Sequence, residues 1–241
     1  MLEVNHISFS YGRHSVLDDV TFDVAPGEIV AVTGANGAGK TTLLRLLACL
    51  LMQDSGSVRF DGVDPLLRPV KYRRNIGYLS EHCPLYSEMT VEGYLTYRVR
   101  LKGERSLRVR RRVGETLEMC GLEELRKTRV RLLSHGYRKR LGLADALVMH
   151  PKLLLLDDPL AGLDVPHRRK AAAVLTAASA RSAVVLAGHE VREMLEWCTR
   201  FVVLFGGRVT GLYRTSDYNR EDLARLLERQ ITGGTGEEVQ P

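Results

Sequence analysis

Residues 28–52 read EIVAVTGANGAGKTTLLRLLACLLM: a short apolar run, a glycine-rich loop and a longer apolar run. The loop from Gly34 to Thr41 fits the pattern G-x-x-x-x-G-K-T, in which backbone N–H groups turn inward around phosphate oxygens. Chance can produce the pattern in a glycine-rich loop. Here, however, it follows a strand-like segment and opens a helix-like one, which is the setting that phosphate binding requires. The sequence therefore predicts a nucleoside triphosphate site.

The positions of this loop have different expected tasks. Glycine lets the backbone approach phosphate where a side chain would clash. Lys40 can reach the β- and γ-phosphates, Thr41 can hold Mg²⁺, and the start of the following helix adds the positive end of its dipole. The expected phosphate-binding residues are Gly34, Ala35, Asn36, Gly37, Ala38, Gly39, Lys40, Thr41 and Thr42.

Length and composition limit the class of protein. A chain of 241 residues can bury a sizeable core as one domain, or as a domain with a subdomain. No apolar stretch reaches the roughly 18 residues needed to span a bilayer, and the N-terminus lacks the pattern of a secretory signal. The cysteines are scattered without a C-x-x-C pair, which indicates reduced thiols rather than a metal site or a disulfide framework. We therefore expect a soluble, cytoplasmic protein.

The positive charge is concentrated in one part of the chain. Residues 98–140 carry 15 Lys and Arg against 5 Asp and Glu, whereas the net charge of the whole chain is +6. Eight of these basic residues fall within residues 98–112 (RVRLKGERSLRVRRR). The run can be a solvated helical face, a surface for an anionic partner such as a cytoplasmic membrane leaflet, or a nucleic-acid surface, and charge alone does not choose among them.

Periodicity divides the chain into two kinds of segment. Residues 2–9 and 16–24 alternate apolar and polar side chains, as in half-buried antiparallel strands. Continuous apolar strands alternating with helices indicate a mainly parallel sheet covered on both faces, and hence an α/β fold. A strand-poor helical block, from about 89 to 150, interrupts this pattern. The apolar strands are expected at 153–156, 183–187 and 201–204, with helices at 166–181 and 190–198.

A second chemical motif follows the strand-like run of four leucines at 153–156. The carboxylate of Asp157 comes at the end of this strand, where ligands bind in parallel sheets, and there it can hold Mg²⁺. Taken alone, the sequence Asp-Asp-Pro at residues 157–159 is typical of an ordinary turn without a metal-binding role. The phosphate loop elsewhere in the chain favours the metal-binding interpretation.

Further motifs follow in the order and spacing of a known family. Leu133-Ser134-His135-Gly136-Tyr137 resembles a signature motif L-S-G-G-Q, residues 161–164 (AGLD) resemble a D-loop, and His189 resembles a switch histidine. Together with Tyr11, they give nearly the whole chain a resemblance to the ATP-binding-cassette (ABC) ATPases. Two segments, 76–86 (IGYLSEHCPLY) and 133–147 (LSHGYRKRLGLADAL), resemble the gliding-motility-type and related ABC-2 exporter ATPases.

The resemblance implies a fold and its division. The expected fold is α/β: a P-loop NTPase core with a mainly parallel sheet, an N-terminal antiparallel β subdomain and an inserted helical subdomain. A single domain would cover residues 1–230, with the core at about 1–87 and 151–230 and the helical subdomain at about 88–150. Residues 231–241 are expected to be a disordered tail.

The resemblance also implies roles for the site residues. Tyr11 would stack on the adenine of ATP, and Mg²⁺ would be held by Thr41, Asp157 and Glu81. Asp158 would orient the attacking water, and His189, with Lys40, would stabilise charge on the γ-phosphate. Ser134 and Gly136, near the start of a helix expected to begin near Arg138, would bind the nucleotide of a second subunit in a head-to-tail dimer.

Three positions depart from the family pattern. Asp158 stands where the family usually has Glu, and a retreat of roughly 1 Å can cost about 100-fold in rate. Glu81 replaces a lid-loop Gln and cannot donate an amide N–H. His135 and Tyr137 replace Gly and Gln of the signature. ATP binding is therefore a firmer expectation than fast hydrolysis.

The expected function is that of a subunit that binds and hydrolyses ATP to power a separate integral-membrane permease, of ABC-2 exporter type. It would form a homodimer, or a heterodimer with a related ATPase, on ATP binding. It would lie on the inner face of the cell membrane, docked through residues near 81–92, and no nucleic-acid partner is expected. A soluble non-transport ABC ATPase, such as an assembly scaffold, and a catalytically weak regulatory subunit remain as alternatives. The transported substrate is not encoded in these residues.

Overall fold

The computed structural model describes residues 1–104 and 106–232, which form nine strands and eight α-helices besides short 3-10 turns. The strands are β1 Leu2–Tyr11, β2 His14–Val24, β3 Ile29–Thr33, β4 Ser55–Phe60, β5 Ile76–Leu79, β6 Leu153–Asp157, β7 Ala183–Ala187, β8 Arg200–Phe205 and β9 Arg208–Arg214. The helices are α1 Lys40–Leu47, α2 Pro69–Arg73, α3 Val91–Leu101, α4 Ser106–Met119, α5 His135–Leu147, α6 Val165–Ser179, α7 Val191–Met194 and α8 Arg220–Ile231.

A six-stranded sheet forms the centre of the molecule. Its order is β5-β6-β7-β3-β8-β9; all neighbours pair in parallel except β9, which is antiparallel to β8. Every residue of β3, β6 and β7 is buried, because both faces of these strands are covered. Parallel pairing puts the carboxyl ends of β6, β7 and β3 side by side, so the segments that follow them meet at one edge of the sheet.

A second sheet of three antiparallel strands, in the order β2-β1-β4, packs over one side of this core. Its inward side chains, such as Val4 and Leu17, share a hydrophobic cluster with Leu43 and Leu47 of α1 and with Val30 and Val32 of β3. Helix α1 therefore lies between the two sheets. The predicted fold class, a mainly parallel α/β sheet with an antiparallel β part, is confirmed.

Helices α3, α4 and α5 cover the other side of the central sheet. Leu95, Leu117 and Leu141, one from each helix, join Leu154 and Leu156 of β6 in a second cluster. Helix α5 lies directly against β5: a Cβ added to Gly77 would lie 2.1 Å from the carbonyl oxygen of Ala146. The α3–α5 layer is thereby fixed to the sheet that carries the phosphate loop.

Several boundaries differ from the predictions. Helix α5 begins at His135 rather than near Arg138, because Ser134 already caps it by accepting a hydrogen bond from the Tyr137 N–H at 3.4 Å. The helix predicted at 190–198 is only α7. Strand β9 and helix α8 were not predicted.

The C-terminal prediction falls partly outside the described residues. Ile231, the first residue of the predicted tail, is the last residue of α8, and Thr232 follows as its cap. Residues 233–241 lie outside the part of the chain that the structure describes. Within residues 1–104 and 106–232, no helix has both the length and the apolar composition needed to cross a membrane.

Candidate nucleotide site

The glycines of the loop between β3 and α1 are required by its backbone. Gly37 and Gly39 have φ values of 83° and 102°, in the region that residues with a Cβ rarely adopt. A Cβ on Gly39 would also lie 2.6 Å from the Leu17 side chain, and one on Gly34 would lie 2.2 Å from the Leu204 carbonyl oxygen. The loop is therefore tightly enclosed by β2 and β8, and Asn36, Gly37 and Gly39 line a cleft.

Lys40, the first residue of α1, is held against this loop. Its Nζ donates hydrogen bonds to the carbonyl oxygens of Gly34 at 2.7 Å and Ala35 at 2.9 Å. Burial lowers the pKa of Lys40, and the carboxylates of Asp158 and Asp157 oppose that shift. The ammonium group thus lies beside both acidic residues at the carboxyl end of β6.

Asp157 ends β6 and faces the start of α1. Its side chain is buried, with the residue 3 % exposed, and its Oδ1 accepts a hydrogen bond from Thr41 Oγ1 at 3.1 Å. Burial raises the pKa of Asp157, partly offset by this hydrogen bond. A hydroxyl and a carboxylate oxygen together are the hard donors that Mg²⁺ prefers, and Glu81 lines the same cleft. The residues therefore fit a Mg²⁺ ion that takes its other ligands from phosphate oxygens and water.

Asp158 lies one residue further, at a sharp change of direction. Its φ is 47°, and its N–H donates to the Ala187 carbonyl oxygen at 3.0 Å. Its Oδ2 lies 3.1 Å from Nδ1 of His189. Burial raises the pKa of Asp158, and His189 is the largest opposing influence. Adjacent pairing of β6 and β7 thus brings together two residues that are 31 positions apart.

These groups open into one cleft of about 300 Å³. Tyr11 stands at its rim, half-exposed, with its ring edge-on to Phe9 at 4.8 Å between centroids. Ala38 instead packs in the core beside α1. Val16 and Gly188 line the cleft but were not predicted, since no local motif marks them. The predicted residues that line it are Tyr11, Asn36, Gly37, Gly39, Lys40, Thr41, Thr42, Glu81, Asp157, Asp158 and His189.

Ser134 and Gly136 are not among the residues that line this cleft. They lie at the start of α5, beside α6. A Cβ on Gly136 would lie 3.1 Å from the ring of His167, so glycine is what allows this close approach. The two predicted signature residues therefore belong to a different surface from the one that carries Lys40.

The two unusual signature residues contact the segment after β6. Nδ1 of His135 lies 3.3 Å from the carbonyl oxygen of Gly162. The ring of Tyr137 packs edge-on against His167 at 5.3 Å, and the Arg140 guanidinium lies 4.4 Å from the centre of the same ring. Sequence reasoning missed His167 because nothing near it in the chain indicates that α5 packs there.

A buried lysine links α5 to the segment around Glu81 that follows β5, which we call the lid loop. Nζ of Lys139 donates to the carbonyl oxygen of Glu81 at 2.8 Å. Burying a charged amine without such an acceptor would be costly, so this bond fixes the loop to α5. Sequence reasoning did not find it either, since the basic residues around 138–140 were counted only as surface charge.

The fold and the site define an ATPase with a phosphate loop between a parallel strand and a helix. Residues 17–161 match the family described as ABC transporter. The chain belongs to this family, as an ABC transporter ATP-binding domain, and is therefore an ATP-binding protein and an ATPase, which confirms the predicted family and enzyme class.

Relatives in the curated proteins agree. The chain is 36 % identical over 210 residues to an uncharacterized ABC transporter ATP-binding protein, YxlF, of Bacillus subtilis, covering 87 % of this chain and 70 % of the relative. It is 35 % identical over 214 residues to the sulfate/thiosulfate import ATP-binding protein CysA 1 of Agrobacterium fabrum, covering 86 % of this chain. It spans only 62 % of the length of that import protein.

Solved structures show the same fold. An ATP-binding subunit of an ABC transporter superposes with a TM-score of 0.86 at 29 % identity, covering 96 % of this chain and 99 % of that one. CbiO1 of Clostridium perfringens, part of the ABC transporter complex cbiONQ, superposes with a TM-score of 0.82 at 26 % identity, covering 95 % and 92 % of the two chains.

Proposed function

We propose that this chain hydrolyses ATP between two head-to-tail subunits and thereby drives a separate integral-membrane permease. The observation that carries the proposal is the separation of the site into two surfaces. Lys40, the Thr41–Asp157 pair and the Asp158–His189 pair share one cleft, whereas Ser134 and Gly136 face elsewhere. A second subunit would therefore bring its Ser134 and Gly136 to the nucleotide bound in this cleft.

In this proposal the loop and Lys40 bind the triphosphate. Gly37, Gly39 and the first residues of α1 line the cleft, where backbone N–H groups at a helix N-terminus favour anions. Lys40 would exchange its two carbonyl acceptors for phosphate oxygens, which bear full negative charge and accept stronger hydrogen bonds. Thr41 and Asp157, with Glu81, would hold Mg²⁺, which neutralises phosphate charge when bound. Tyr11 would stack on adenine at the rim.

Asp158 and His189 would act on the attacking water. The carboxylate of Asp158 can accept a hydrogen bond from the attacking water. This bond would orient the water so that a lone pair of the water oxygen points at the γ-phosphorus. His189 would donate from Nδ1 to the Asp158 carboxylate, so its Nε2, which lies 3.9 Å from Glu190 Oε1, can donate to a γ-phosphate oxygen only when the ring is an imidazolium. The 3.1 Å contact orients the two side chains for these tasks. The short side chain of Asp158 sets how far the carboxylate reaches.

The two surfaces would also couple hydrolysis to movement. The core at about 1–87 and 151–230 would carry the cleft, and the helical subdomain at about 88–150 would carry Ser134 and Gly136. ATP held between two subunits favours the closed state, and its hydrolysis removes that preference. The Lys139–Glu81 bond would transmit the change, since it joins the lid loop in the cleft to α5.

A groove between the core and α3 is the proposed docking site for the permease. Its cavity of about 310 Å³ is walled by Leu50 on the core side and by Tyr94 and Arg98 of α3, with Pro84 and Leu85 of the lid loop between them. Leu50 is 59 % exposed, so an apolar side chain is free to contact a partner there. This position would hold the chain on the inner face of the cell membrane.

The type of permease is the finer part of the proposal. The segments 76–86 and 133–147 support an ABC-2 exporter partner, through their resemblance to ATPases of that type. Import is the second candidate, because the similarity to CysA 1 of Agrobacterium fabrum is a specific observation in its favour. The neighbouring gene would separate them: an exporter permease encoded beside this chain supports the first, and a solute-binding protein beside it supports the second.

Replacing Leu50 tests the docking groove. Leu50→Asp should reduce co-purification with the permease at least ten-fold, because a charge would be buried in an apolar contact, while ATP binding by the isolated chain stays unchanged. The matched control is Leu212→Asp on β9, which is similarly exposed and lies outside the groove. Equal co-purification of both variants would place the docking surface elsewhere.

The acidic residues near the groove are less suitable for this test. Glu92 forms an ion pair with Arg126, and Glu88 lies 3.8 Å from Arg129 and 3.7 Å from Arg131. Reversing either charge would disturb these local pairs as well as the contact with a permease.

Permease-stimulated ATP turnover also separates the proposal from its alternatives. A non-transport scaffold has no permease, and a weak regulatory subunit would show no stimulation.

A further inference from the structure

Apolar side chains protrude among basic ones in the segment that forms α2. Residues 66–74 read LLRPVKYRR. Leu66, Leu67 and Val70 are 51 %, 80 % and 65 % exposed. Single exposed apolar side chains are ordinary, but three within five positions, among basic residues, form a patch.

The segment is held firmly in this orientation. Tyr72 is fully buried, and its hydroxyl donates to the carbonyl oxygen of Leu47 at 2.8 Å. Asp64 accepts a hydrogen bond from the Leu66 N–H at 2.7 Å, which fixes the turn that precedes it. Tyr72 takes the inward position of this segment, while Leu66, Leu67 and Val70 lie on its exposed side. Their exposure is therefore built into the fold.

An open groove separates this segment from the end of α3. Its volume is about 790 Å³, and Val70, Arg73 and Arg74 on one side face Leu101 and Lys102 on the other. Leu101 is also largely exposed. We call the set formed by residues 66–74 with Leu101 and Lys102 the basic apolar surface.

The basic side chains of this surface form no direct ion pairs among the described residues, although Asp145 acts on Lys102 from a greater distance. Within residues 1–104 and 106–232, no carboxylate lies within ion-pair distance of Arg68, Lys71, Arg73, Arg74 or Lys102. The nearby acid, Glu104, is occupied by Arg112 at 2.8 Å. These basic side chains are therefore free to attract an anionic partner from outside the chain.

The basic run at 98–112, by contrast, is partly neutralised internally. Arg98 pairs with Asp145 at 2.8 Å, and Arg111 pairs with Glu115 at 3.4 Å. These two members of the run therefore have partners inside the chain, and the role of the run as a whole stays open. The α2 segment adds further basic residues without ion pairs, Arg68, Lys71, Arg73 and Arg74, which the charge count along the sequence did not single out.

We propose that the basic apolar surface binds the headgroup region of an anionic membrane. Such an interface accepts apolar side chains at the level of the acyl chains and basic side chains at the level of the phosphates, and both types are exposed along residues 66–74. An acidic protein segment would neutralise the arginines but has no need of leucines that protrude outside the groove. The proposal goes beyond permease docking and does not depend on it.

Co-sedimentation of the purified full chain with lipid vesicles tests the proposal. At about 0.1 M salt, the chain should partition at least ten-fold better to phosphatidylcholine vesicles with roughly 30 per cent phosphatidylglycerol than to pure phosphatidylcholine. Arg73→Gln/Arg74→Gln should reduce that partition on the order of ten-fold or more, since each basic residue near an anionic surface contributes about five-fold. Leu66→Ser/Leu67→Ser should also reduce it.

The matched control is Arg169→Gln/Lys170→Gln, which removes the same charge from exposed positions on α6. It should change partition by less than about two-fold, and all variants should retain basal ATPase activity because none of these residues lines the cleft. Equal partition to the two kinds of vesicle, or equal loss in the α2 and α6 variants, would overturn the proposal. A requirement for Arg73 and Arg74 in binding a protein partner, without vesicle binding, would also overturn it.

Discussion

Asp158 is the residue whose length most affects the proposed chemistry. Its carboxylate follows β6 with φ of 47° and contacts His189 at 3.1 Å. The sequence showed that this position is Asp rather than Glu. The structure adds that the short side chain of Asp158 already has a partner, His189, which follows the neighbouring strand β7.

Asp158→Asn should stop turnover and trap an ATP-bound dimer, because the amide keeps the size but cannot accept a proton or orient water as a carboxylate does. Asp158→Glu should leave turnover unchanged or raise it, since one methylene extends the reach. Steady-state ATPase rates and size-exclusion chromatography with ATP measure both. A several-fold lower rate for Asp158→Glu would mean that the cleft is fitted to Asp.

Asp157 should make stability depend on pH. Burial raises its folded-state pKa above its unfolded value, so between the two values the folded state binds more protons. Stability is therefore lost as pH rises through this range. Asp157→Asn should be more stable than the wild type at about pH 7.5, and the difference should shrink as pH falls toward the ordinary aspartate pKa. Urea unfolding at several pH values measures the difference.

Asp164 supplies a control of opposite sign. Hydrogen bonds from the backbone and side chain of His167 lower its pKa, so it contributes stability that is lost as pH falls through the folded pKa. Asp164→Asn should therefore be less stable than the wild type at about pH 7.5, with the gap narrowing in acid. Shifts of the same sign in both variants would contradict the assignment of burial as the cause at Asp157.

At the scale of elements, the packing of α5 determines how the layer of helices α3–α5 contacts the central sheet. Gly142 of α5 lies against the lid loop: an added Cβ would be 2.0 Å from Cys83 Sγ and 2.8 Å from the side chain of Leu79. Burial raises the pKa of the Cys83 thiol to about 11, so it acts as a neutral packing group. The contact is one of fit rather than of charge.

Gly142→Ala should therefore lower the free energy of unfolding by about 1–3 kcal/mol, the usual cost of overpacking. Adding Cys83→Ala to this variant should restore part of the lost stability, because it removes the sulfur that the new methyl group would contact. Gly114→Ala in α4 is the control. Nothing lies within 4 Å of its added Cβ, so helix propensity alone should raise stability by about 0.5–1 kcal/mol. Chemical unfolding compares the two, and a Gly142→Ala chain as stable as the wild type would show that α5 can move away from the loop.

At the scale of the whole molecule, the proposed dimer has a stringent test. Lys40→Ala and Gly136→Asp should each abolish hydrolysis, because every composite site would lack either the cation of one subunit or the signature of the other. Lys40→Ala should remain folded, since Lys40 contacts only its own loop through its ammonium group. Because a Cβ at Gly136 would press on the ring of His167, circular dichroism and thermal unfolding of Gly136→Asp check that this variant is folded before the mixing experiment.

Mixing the two inactive variants should restore activity, because a mixed dimer contains one site with both Lys40 and Gly136 intact. Random pairing of equal amounts would restore about a quarter of the sites. Mixing either variant with itself is the control. A site built within one subunit would give no recovery, so a mixture as inactive as its components would contradict the head-to-tail arrangement.

Much of the site was predictable because its residues lie in short motifs. Gly34 to Thr42 occupy consecutive positions, and Asp157 and Asp158 follow directly after a run of four leucines, so local spacing alone indicated both halves. The helix boundary at α5 was missed by three residues, since Ser134 caps through its own side chain before the apolar pattern begins. Strand β9 was missed because it is an edge strand with one face exposed.

The sequence by itself determined the phosphate loop and the two aspartates at the end of β6, because these residues are neighbours in the chain. It also determined the α/β class, because strands buried on both faces are continuously apolar. Only the tertiary structure decided which residues meet across strands and helices. It joined Asp158 to His189, Lys139 to Glu81 and Gly136 to His167. It also paired part of the basic run internally and left the charges of α2 without partners, because ion pairing depends on distances in space that the order of residues does not fix.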